Sequence, residues 1–209
     1  MARLLAQAGG AVVLSGGSTP RRAYELAAEL RKDWSSVSLW WGDERCVLPD
    51  DERSNYATAK TALLDRIEVQ PEVHRIRGEL GAEEAARLYD EELRGVDLGL
   101  AVMGIGPDGH TASLFPNAPS LEERERLAVA AEPGLEPWVD RVTLTLPAFA
   151  ATREMAFLVT GADKADAVRR AFREPPSPDT PASLTRGNRT VAYLDRSAAA
   201  LLEPPRNVW

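Results

Sequence analysis

One of the two histidines, His110, follows a glycine-rich segment, and the residues around it could support proton transfer. Residues 98–117 read LGLAVMGIGPDGHTASLFPN, an apolar run followed by glycines and an Asp-Gly-His triplet. A continuous apolar run that ends in turn residues is typical of a buried strand, and open α/β sheets bind ligands beyond the carboxyl ends of such strands. An imidazole there, with Asp108 beside it, can take a proton from water and return it to a leaving group. A lone histidine is more often structural than catalytic, so these residues alone leave both roles open.

A second glycine-containing loop, SGGST at residues 15–19, lies between an apolar run and a helical pattern. The backbone N–H groups at the start of a helix attract phosphate, and Gly16 and Gly17 let a ligand approach the backbone closely. Ser18 and Thr19 add hydroxyl donors. The loop matches neither the dinucleotide fingerprint nor the P-loop. A plain tight turn, with Thr19 capping the helix and Pro20 in its first turn, explains the pattern at least as well.

Two further loops carry charged side chains after apolar runs. In Gly42-Asp43-Glu44-Arg45, Asp43 or Glu44 could accept hydrogen bonds from sugar hydroxyls or orient a catalytic group, and Arg45 could clamp an anion. The alternative is a solvated turn with an internal ion pair. Lys164 follows a glycine turn at a predicted helix start, where it could reach a phosphate as a compact charge. By itself Lys164 fits an ordinary exposed lysine better. We interpret Cys46 as a packing residue and His74 as a surface residue.

Strands and helices alternate along the chain, and this order predicts right-handed crossovers and a mainly parallel sheet. The carboxyl ends of parallel strands share one edge, so we expect the four loops to converge there. The alternating pattern of residues 139–146 places that strand at a sheet edge or antiparallel, with one wet face. We expect residues 42–53 and 174–181 to be loops. The predicted strands are 11–15, 37–41, 73–76, 98–103, 127–131, 139–146, 155–160 and 191–194, and the predicted helices are 20–30, 54–67, 82–93, 163–172 and 197–202.

The composition narrows the class of protein. The 209 residues suit one domain, 1–209, and a net charge of −7 disfavours nucleic acid or an anionic membrane as the main partner. The single cysteine, Cys46, excludes an intramolecular disulfide and fits a reducing compartment. The N-terminal residues lack the pattern of a signal peptide, so we expect a cytoplasmic protein. Two distant histidines and one cysteine do not form a zinc set, and we expect no metal.

Four motifs together resemble the 6-phosphogluconolactonase family. They are LSGGSTP at 14–20, WWGDERCV with a downstream SNY at 40–47 and 54–56, MGIGPDGHTASLFP at 103–116, and VTGADKADAV at 159–168. The third motif is highly specific, and the resemblance spans nearly the whole chain. It implies a Rossmann-like α/β fold with a mainly parallel sheet flanked by helices, shared with sugar-phosphate deaminases and isomerases. The family begins with another strand and a longer helix before the strand that leads into the first motif. Only Met1–Ala8 precede that strand here, so we expect the N-terminal strand to be missing.

The resemblance implies hydrolysis of 6-phospho-D-glucono-1,5-lactone to 6-phosphogluconate, in the oxidative branch of the pentose phosphate pathway, without a cofactor. His110 would be the general base, and Asp43 or Asp108 would orient it or stabilise its charged form; the sequence does not choose between the two carboxylates. Backbone N–H groups of a glycine loop are candidate donors to the oxyanion. The residues expected to bind substrate or its phosphate are Gly16, Gly17, Ser18, Thr19, Arg45, Gly109, Lys164 and Arg186.

Other readings of the same motifs remain open. A glucosamine-6-phosphate deaminase or isomerase would share the fold, although Thr111-Ala112-Ser113-Leu114-Phe115-Pro116 favours the lactonase. A sugar-phosphate sensor without activity would keep the cleft but turn nothing over. The expected partner is a small phosphorylated sugar lactone, with no nucleic acid and no membrane. The sequence does not determine an oligomeric state, and we expect a monomer.

Overall fold

A computed structural model describes residues 1–202 and contains one main sheet. The strands found within this range are β1 (Gly10–Leu14), β2 (Val37–Trp41), β3 (Asp43–Arg45), β4 (Glu72–Val73), β5 (Leu98–Met103), β6 (Ala128–Ala131), β7 (Arg141–Leu144), β8 (Glu154–Val159) and β9 (Arg189–Leu194). Six of them form a sheet in the order β4-β2-β1-β5-β8-β9, and every neighbouring pair in it is parallel. The α/β class and the mainly parallel sheet are therefore confirmed.

The helices that flank the sheet are α1 (Ala2–Gln7), α2 (Ser18–Leu30), α3 (Asn55–Ala62), α4 (Ala82–Leu93), α5 (Leu146–Ala151), α6 (Ala165–Arg173) and α7 (Pro181–Leu184). Residues 1–9 contain α1 and no strand; α1 packs against α2 and buries Leu5. No helix within residues 1–202 is both long and apolar enough to cross a membrane.

A second, three-stranded sheet in the order β3-β7-β6 corrects two predictions. Residues 42–53 are not all loop, because Asp43–Arg45 pair antiparallel with Arg141–Thr143. The strand predicted at 139–146 does run antiparallel, but it lies in this small sheet and all four residues of β7 are buried. Its expected wet face is absent because the polar side chains on it, Arg141 and Thr143, make hydrogen bonds inside the protein.

The helix boundaries follow local capping in some places and tertiary contacts in others. Ser54 caps α3 as predicted, its side chain accepting from the N–H of Ala57. Thr19 is not a cap, because α2 starts at Ser18 after Gly17, whose φ of 102° favours glycine. The helix predicted to reach residue 67 ends at Ala62, where a short 3-10 turn at 64–66 follows. The predicted last helix, 197–202, consists of turns.

Two buried tyrosines fix the carboxyl ends of neighbouring strands. The Tyr24 hydroxyl accepts from the N–H of Ser15 at 2.9 Å and donates to its carbonyl at 2.7 Å. The Tyr89 hydroxyl makes the same pair of bonds to Trp41, at 2.7 and 3.1 Å. Burial raises the pKa of both hydroxyls well above the ordinary value, so both stay neutral donors. The two tyrosines therefore hold the backbone just before the glycine loop and the Asp43 loop begin.

Candidate active site

The predicted loops meet in one cleft of about 330 Å³ at the carboxyl edge of the main sheet. It is bounded by the ends of β1, β5 and β8 and by β3 from the small sheet, as a shared edge of parallel strands requires. The predicted residues that line it are Gly16, Gly17, Ser18, Thr19, Asp43, Arg45, His110 and Lys164.

One wall of the cleft combines a helix start with a lysine. Ser18 and Thr19 begin the thirteen-residue α2, and the N–H groups of Gly16 and Gly17 before it have no hydrogen-bond partner within residues 1–202. The Thr19 hydroxyl lies 2.8 Å from the hydroxyl of Thr160, which joins this loop to the end of β8. Lys164 lines the same cleft. Unpaired N–H groups, hydroxyls and an ammonium are suited to bind a phosphate.

His110 and Asp108 form a hydrogen-bonded pair on another wall. Nδ1 of His110 lies 2.6 Å from Oδ1 of Asp108, which also accepts from the backbone N–H of His110 at 3.1 Å. A carboxylate can only accept, so Nδ1 carries a proton, and in the neutral form of the ring Nε2 is an acceptor. Nε2 has no partner among the described residues, and the imidazole lines the cleft. Half-burial favours the neutral carboxyl of Asp108, but the hydrogen bonds and charge of His110 outweigh it and lower the pKa of Asp108.

The His110 loop, defined here as residues 104–110, is too tight to hold a side chain at Gly106. A Cβ there would lie 2.1 Å from both Cε1 and Nδ1 of His110, and 2.7 Å from Oδ1 of Asp108. The N–H of Gly106 donates to the carbonyl of His110 at 2.8 Å, and the N–H of Gly109 donates to the carbonyl of Gly106 at 3.0 Å. These two N–H groups are therefore engaged within the loop, whereas the N–H groups of Gly16 and Gly17 across the cleft have no partner within residues 1–202.

Asp43 is buried and belongs to a different set of contacts from His110. Its carboxylate accepts from the Ser113 hydroxyl at 2.6 Å and from the Asn55 amide at 3.2 Å. Asn55 also donates to the backbone carbonyl of Asp43 at 2.8 Å, and its own Oδ1 is buried without a partner. The structure pairs His110 with Asp108, whereas Asp43 lines the same cleft bound to Ser113 and Asn55.

Asn55 was missed as a cleft residue by the sequence analysis. Its Oδ1 occupies the space where Gly16 would carry a side chain, since a Cβ on Gly16 would lie 1.8 Å from it. The signal available was the SNY segment, in which Ser54 was recognised only as a helix cap. The position of Asn55 depends on Glu44, whose carboxylate accepts from the backbone N–H groups of Asn55 and Tyr56, each at 2.8 Å.

Glu44 is therefore a buried organiser rather than a substrate ligand. It is 3% exposed and also accepts from the Ser54 hydroxyl at 2.9 Å and the Arg45 N–H at 2.7 Å. Burial raises the pKa of Glu44, and the four hydrogen bonds oppose that effect. The alternative of a solvated turn with an internal ion pair is excluded for this residue, because its partners are backbone groups and a hydroxyl.

Two arginines face each other across the small sheet and both line the cleft. Arg45 on β3 pairs in register with Arg141 on β7, and neither makes a salt bridge within residues 1–202. Burial, followed by the charge of Arg45, lowers the pKa of Arg141. Like charges placed opposite each other are unfavourable unless an anion lies between them. Arg141 was missed because its place in the cleft depends on a strand pairing over about a hundred residues of sequence.

Two predicted substrate residues are not brought to the cleft. The Arg186 guanidinium donates to the backbone carbonyls of Ala182, Thr185 and Ala171, and burial lowers the pKa of Arg186. These contacts hold the turn after α7 and keep the guanidinium outside the cleft. Gly109 belongs to the His110 loop but faces Thr180 rather than the cleft, with φ of 97°. His74 is not simply a surface residue, because it stacks on Trp40 with the ring centroids 4.0 Å apart.

A larger groove of about 870 Å³ lies beyond Phe115, but its lining residues include no histidine, lysine or arginine. It therefore has nothing to bind a phosphate, whereas the smaller cleft carries cations, hydroxyls and an imidazole. Within residues 1–202 no group of histidine, cysteine and carboxylate side chains could hold a metal ion. The smaller cleft can bind an anionic substrate and move one proton at Nε2 of His110.

The comparisons with known proteins agree with this arrangement. Residues 2–193 match the family model described as glucosamine-6-phosphate isomerases/6-phosphogluconolactonase. A 6-phosphogluconolactonase of Mycobacterium leprae is 39% identical over 90% of this chain and 83% of its own length. The human 6-phosphogluconolactonase is 37% identical over 93% of this chain and 81% of its own length.

Solved structures of 6-phosphogluconolactonases and of a related deaminase are similar in fold to this chain. The crystal structure of a 6-phosphogluconolactonase from Thermotoga maritima superposes with a TM-score of 0.81 at 32% identity, covering 92% of this chain and 88% of that one. A monomeric glucosamine-6-phosphate deaminase shares the fold, with a TM-score of 0.82 at 21% identity, over 96% of this chain and 93% of that one. The fold and cleft thus define a sugar-phosphate-processing α/β protein. The chain belongs to the glucosamine-6-phosphate isomerase/6-phosphogluconolactonase family.

Proposed function

We propose that this protein hydrolyses 6-phospho-D-glucono-1,5-lactone to 6-phospho-D-gluconate, the lactonase step of the oxidative pentose phosphate pathway. The observation that carries the proposal is the position of His110 in the same cleft as the phosphate-binding wall, with Nδ1 on Asp108 and Nε2 unpaired within the described chain. The 6-phosphogluconolactonase relatives at 33–39% identity support the choice of substrate.

The phosphate end of the substrate would be held by the wall that contains Ser18, Thr19 and Lys164. The unpaired N–H groups at Gly16 and Gly17 would donate to anionic oxygens, and Lys164 would supply a positive charge. Arg45 and Arg141 complete the positive lining of the cleft. The net charge of −7 of the whole chain does not oppose this, because three cations, Arg45, Arg141 and Lys164, lie together at this cleft.

The reaction itself requires one base that also acts as an acid. Nε2 of neutral His110 takes a proton from water as the water oxygen attacks the lactone carbonyl carbon. The bond between that carbon and the ring oxygen then breaks, and the imidazolium returns its proton to the ring oxygen. Asp108 stabilises the imidazolium between the two transfers, since its carboxylate accepts from Nδ1. The new carboxylic acid loses a proton to solvent, and no step uses a cofactor.

The test is lactone disappearance, corrected for spontaneous hydrolysis, with wild type and His110→Ala measured side by side. We expect His110→Ala to lower kcat about 100-fold or more with an unchanged circular dichroism spectrum. His74→Gln is the matched control, because the second histidine lies outside the cleft. Near-normal turnover by His110→Ala would reject the assignment of the base.

Two further arms separate the competing functions. Ammonia released from glucosamine 6-phosphate, without lactone hydrolysis, would indicate a deaminase. Binding of 6-phosphogluconate by a wild-type protein that turns over neither compound would indicate a sensor.

We also propose that the protein is cytoplasmic and monomeric. The single Cys46 and the small-molecule substrate support the cytoplasmic location, and size-exclusion chromatography tests the monomeric state.

A further inference from the structure

Arg170, a half-buried residue of α6, contacts the His110 loop but does not line the cleft. Its Nη1 donates to the carbonyl of Asp108 at 3.3 Å, and its Nη2 donates to the carbonyl of Pro107 at 3.4 Å. Nη1 also donates to the Thr180 hydroxyl and, at 3.4 Å, to the carbonyl of Asp179. One guanidinium thus joins two consecutive carbonyls of the loop to the segment before α7.

These contacts satisfy groups that the loop cannot satisfy by itself. The short internal bonds of the His110 loop use the carbonyls of Gly106 and His110, and give no donor to those of Pro107 and Asp108. Backbone carbonyls of a half-buried turn need a donor, and the planar fork of an arginine can serve several acceptors at once. Nε of Arg170 donates to the Asp166 carboxylate at 2.9 Å, which fixes the direction of the fork.

The segment at the start of α7 also contacts the His110 loop, next to Arg170. The N–H of Ala182 donates to the carbonyl of Gly109 at 2.9 Å, and a Cβ on Gly109 would lie 3.2 Å from Nη1 of Arg170. Arg170 does not line the cleft. Its influence on the reaction therefore has to pass through the backbone of Asp108 and from there to His110.

We infer that Arg170 is a positioning residue, which clamps the backbone of Pro107 and Asp108 so that the Asp108 carboxylate stays aligned with Nδ1 of His110. This inference rests on the proposed function and adds a residue to it that has no contact with substrate. The clamp lies outside the cleft, so its loss leaves the phosphate-binding wall unchanged. Loss of the clamp is expected to act on kcat and to leave KM nearly constant.

The first measurement compares Arg170→Met with Arg169→Met. Arg169 lies on the same helix and pairs with Asp166 and Glu174, but has no contact with the His110 loop, so it is a matched control. We expect Arg170→Met to lower kcat about 10- to 100-fold, because a small misplacement of a reacting group has effects of that size. KM should change less than about twofold, and Arg169→Met should leave both constants near wild type.

The second measurement reports on the clamp without using activity. The chain has only two histidines, so the Nδ1 proton of His110 can be followed by NMR in protein labelled at histidine, with His74→Gln to assign the signals. In wild type, the proton shared with Asp108 should appear downfield and exchange slowly. In Arg170→Met, the signal should move upfield or be lost by exchange, and in Arg169→Met it should persist. A residue that only stabilises the fold would not move it.

A double-mutant cycle then tests the route of the effect. If Arg170 acts through Asp108, the Arg170→Met substitution should lower kcat much less in the Asp108→Asn variant than in the wild-type protein. If Arg170→Met does not fold, Arg170→Lys and Thr180→Val replace it. The lysine keeps the charge without the fork, and the valine removes the hydroxyl that anchors Nη1.

The inference is wrong if the folded Arg170 variants match Arg169→Met in kcat and keep the His110 signal, or if KM rises as much as kcat falls. A failure of the proposed function looks different. In that case wild type hydrolyses no lactone, while the His110 signal still responds to Arg170→Met and the clamp itself is supported.

Discussion

Nδ1 of His110 lies 2.6 Å from Oδ1 of Asp108, although only Gly109 separates the two residues in sequence. This local pairing is possible because Gly109 adopts φ of 97°, and Gly106 leaves room for the ring. The orientation of the imidazole is thus set within one short turn, and the proton acceptor Nε2 is left for the cleft. The pair needs no contribution from Asp43, which contacts Ser113 and Asn55 instead.

Replacement of Asp108 by Asn should test the charge of this pair. An amide oxygen can still accept from Nδ1, but it no longer stabilises the imidazolium, so we expect kcat to fall about 100-fold with little change in KM. Steady-state kinetics on the lactone measure both constants. Retention of wild-type kcat by Asp108→Asn would show that the carboxylate charge is not needed.

The same substitution has a signature in stability against pH. The pKa of Asp108 is lower in the folded protein than its ordinary value, so the carboxylate favours the folded state above about pH 4. This contribution is lost as the pH falls through the folded pKa. The difference in unfolding free energy between wild type and Asp108→Asn should therefore narrow as the pH is lowered from about 5 to about 3. Urea unfolding of both proteins at several pH values measures this difference in unfolding free energy. A difference that stays constant over the pH range would contradict the prediction.

Replacement of Gly106 by Ala should displace His110 with little change elsewhere. The new Cβ would lie 2.1 Å from two ring atoms of His110, so the ring has to move. We expect kcat to fall about 100-fold, with KM nearly constant. Gly104→Ala is the control in the same loop, since a Cβ there has no neighbour within 4 Å. Equal activity of the two variants would show that the ring position does not limit turnover.

The main sheet was predictable because its signals are local. The strand Leu98–Met103 and the helix Ala82–Leu93 have the predicted bounds, since apolar runs and helical spacing define each without help from distant residues. The convergence of Ser18, His110 and Lys164 also followed, because parallel strands share one carboxyl edge.

Two strands of the small sheet, β6 and β7, lie within predicted strands, but its third strand, β3, was not predictable from local signals. Its strand β3 consists of Asp43, Glu44 and Arg45, charged residues that read as a surface loop. They are strand residues only because β7 pairs with them about a hundred positions later. Glu44 can be buried there because α3 supplies N–H donors. Arg186 illustrates the opposite case: the resemblance implied a substrate contact, and the structure places carbonyls around it.

Lys164 offers the sharpest test of the phosphate-binding wall. Its ammonium lies 2.9 Å from the Asp163 carboxylate, and Lys164 lines the cleft. The ammonium can therefore also bind an anion in the cleft. Lys164→Ala should raise KM about 10-fold or more, since a hydrogen bond to a charged group contributes about 1.5–3 kcal/mol, with a smaller fall in kcat. Lys60→Ala is the control, because Lys60 pairs with Asp65 outside the cleft. Asp163→Asn removes the competing carboxylate and should lower KM. An unchanged KM in Lys164→Ala would place the phosphate elsewhere in the cleft.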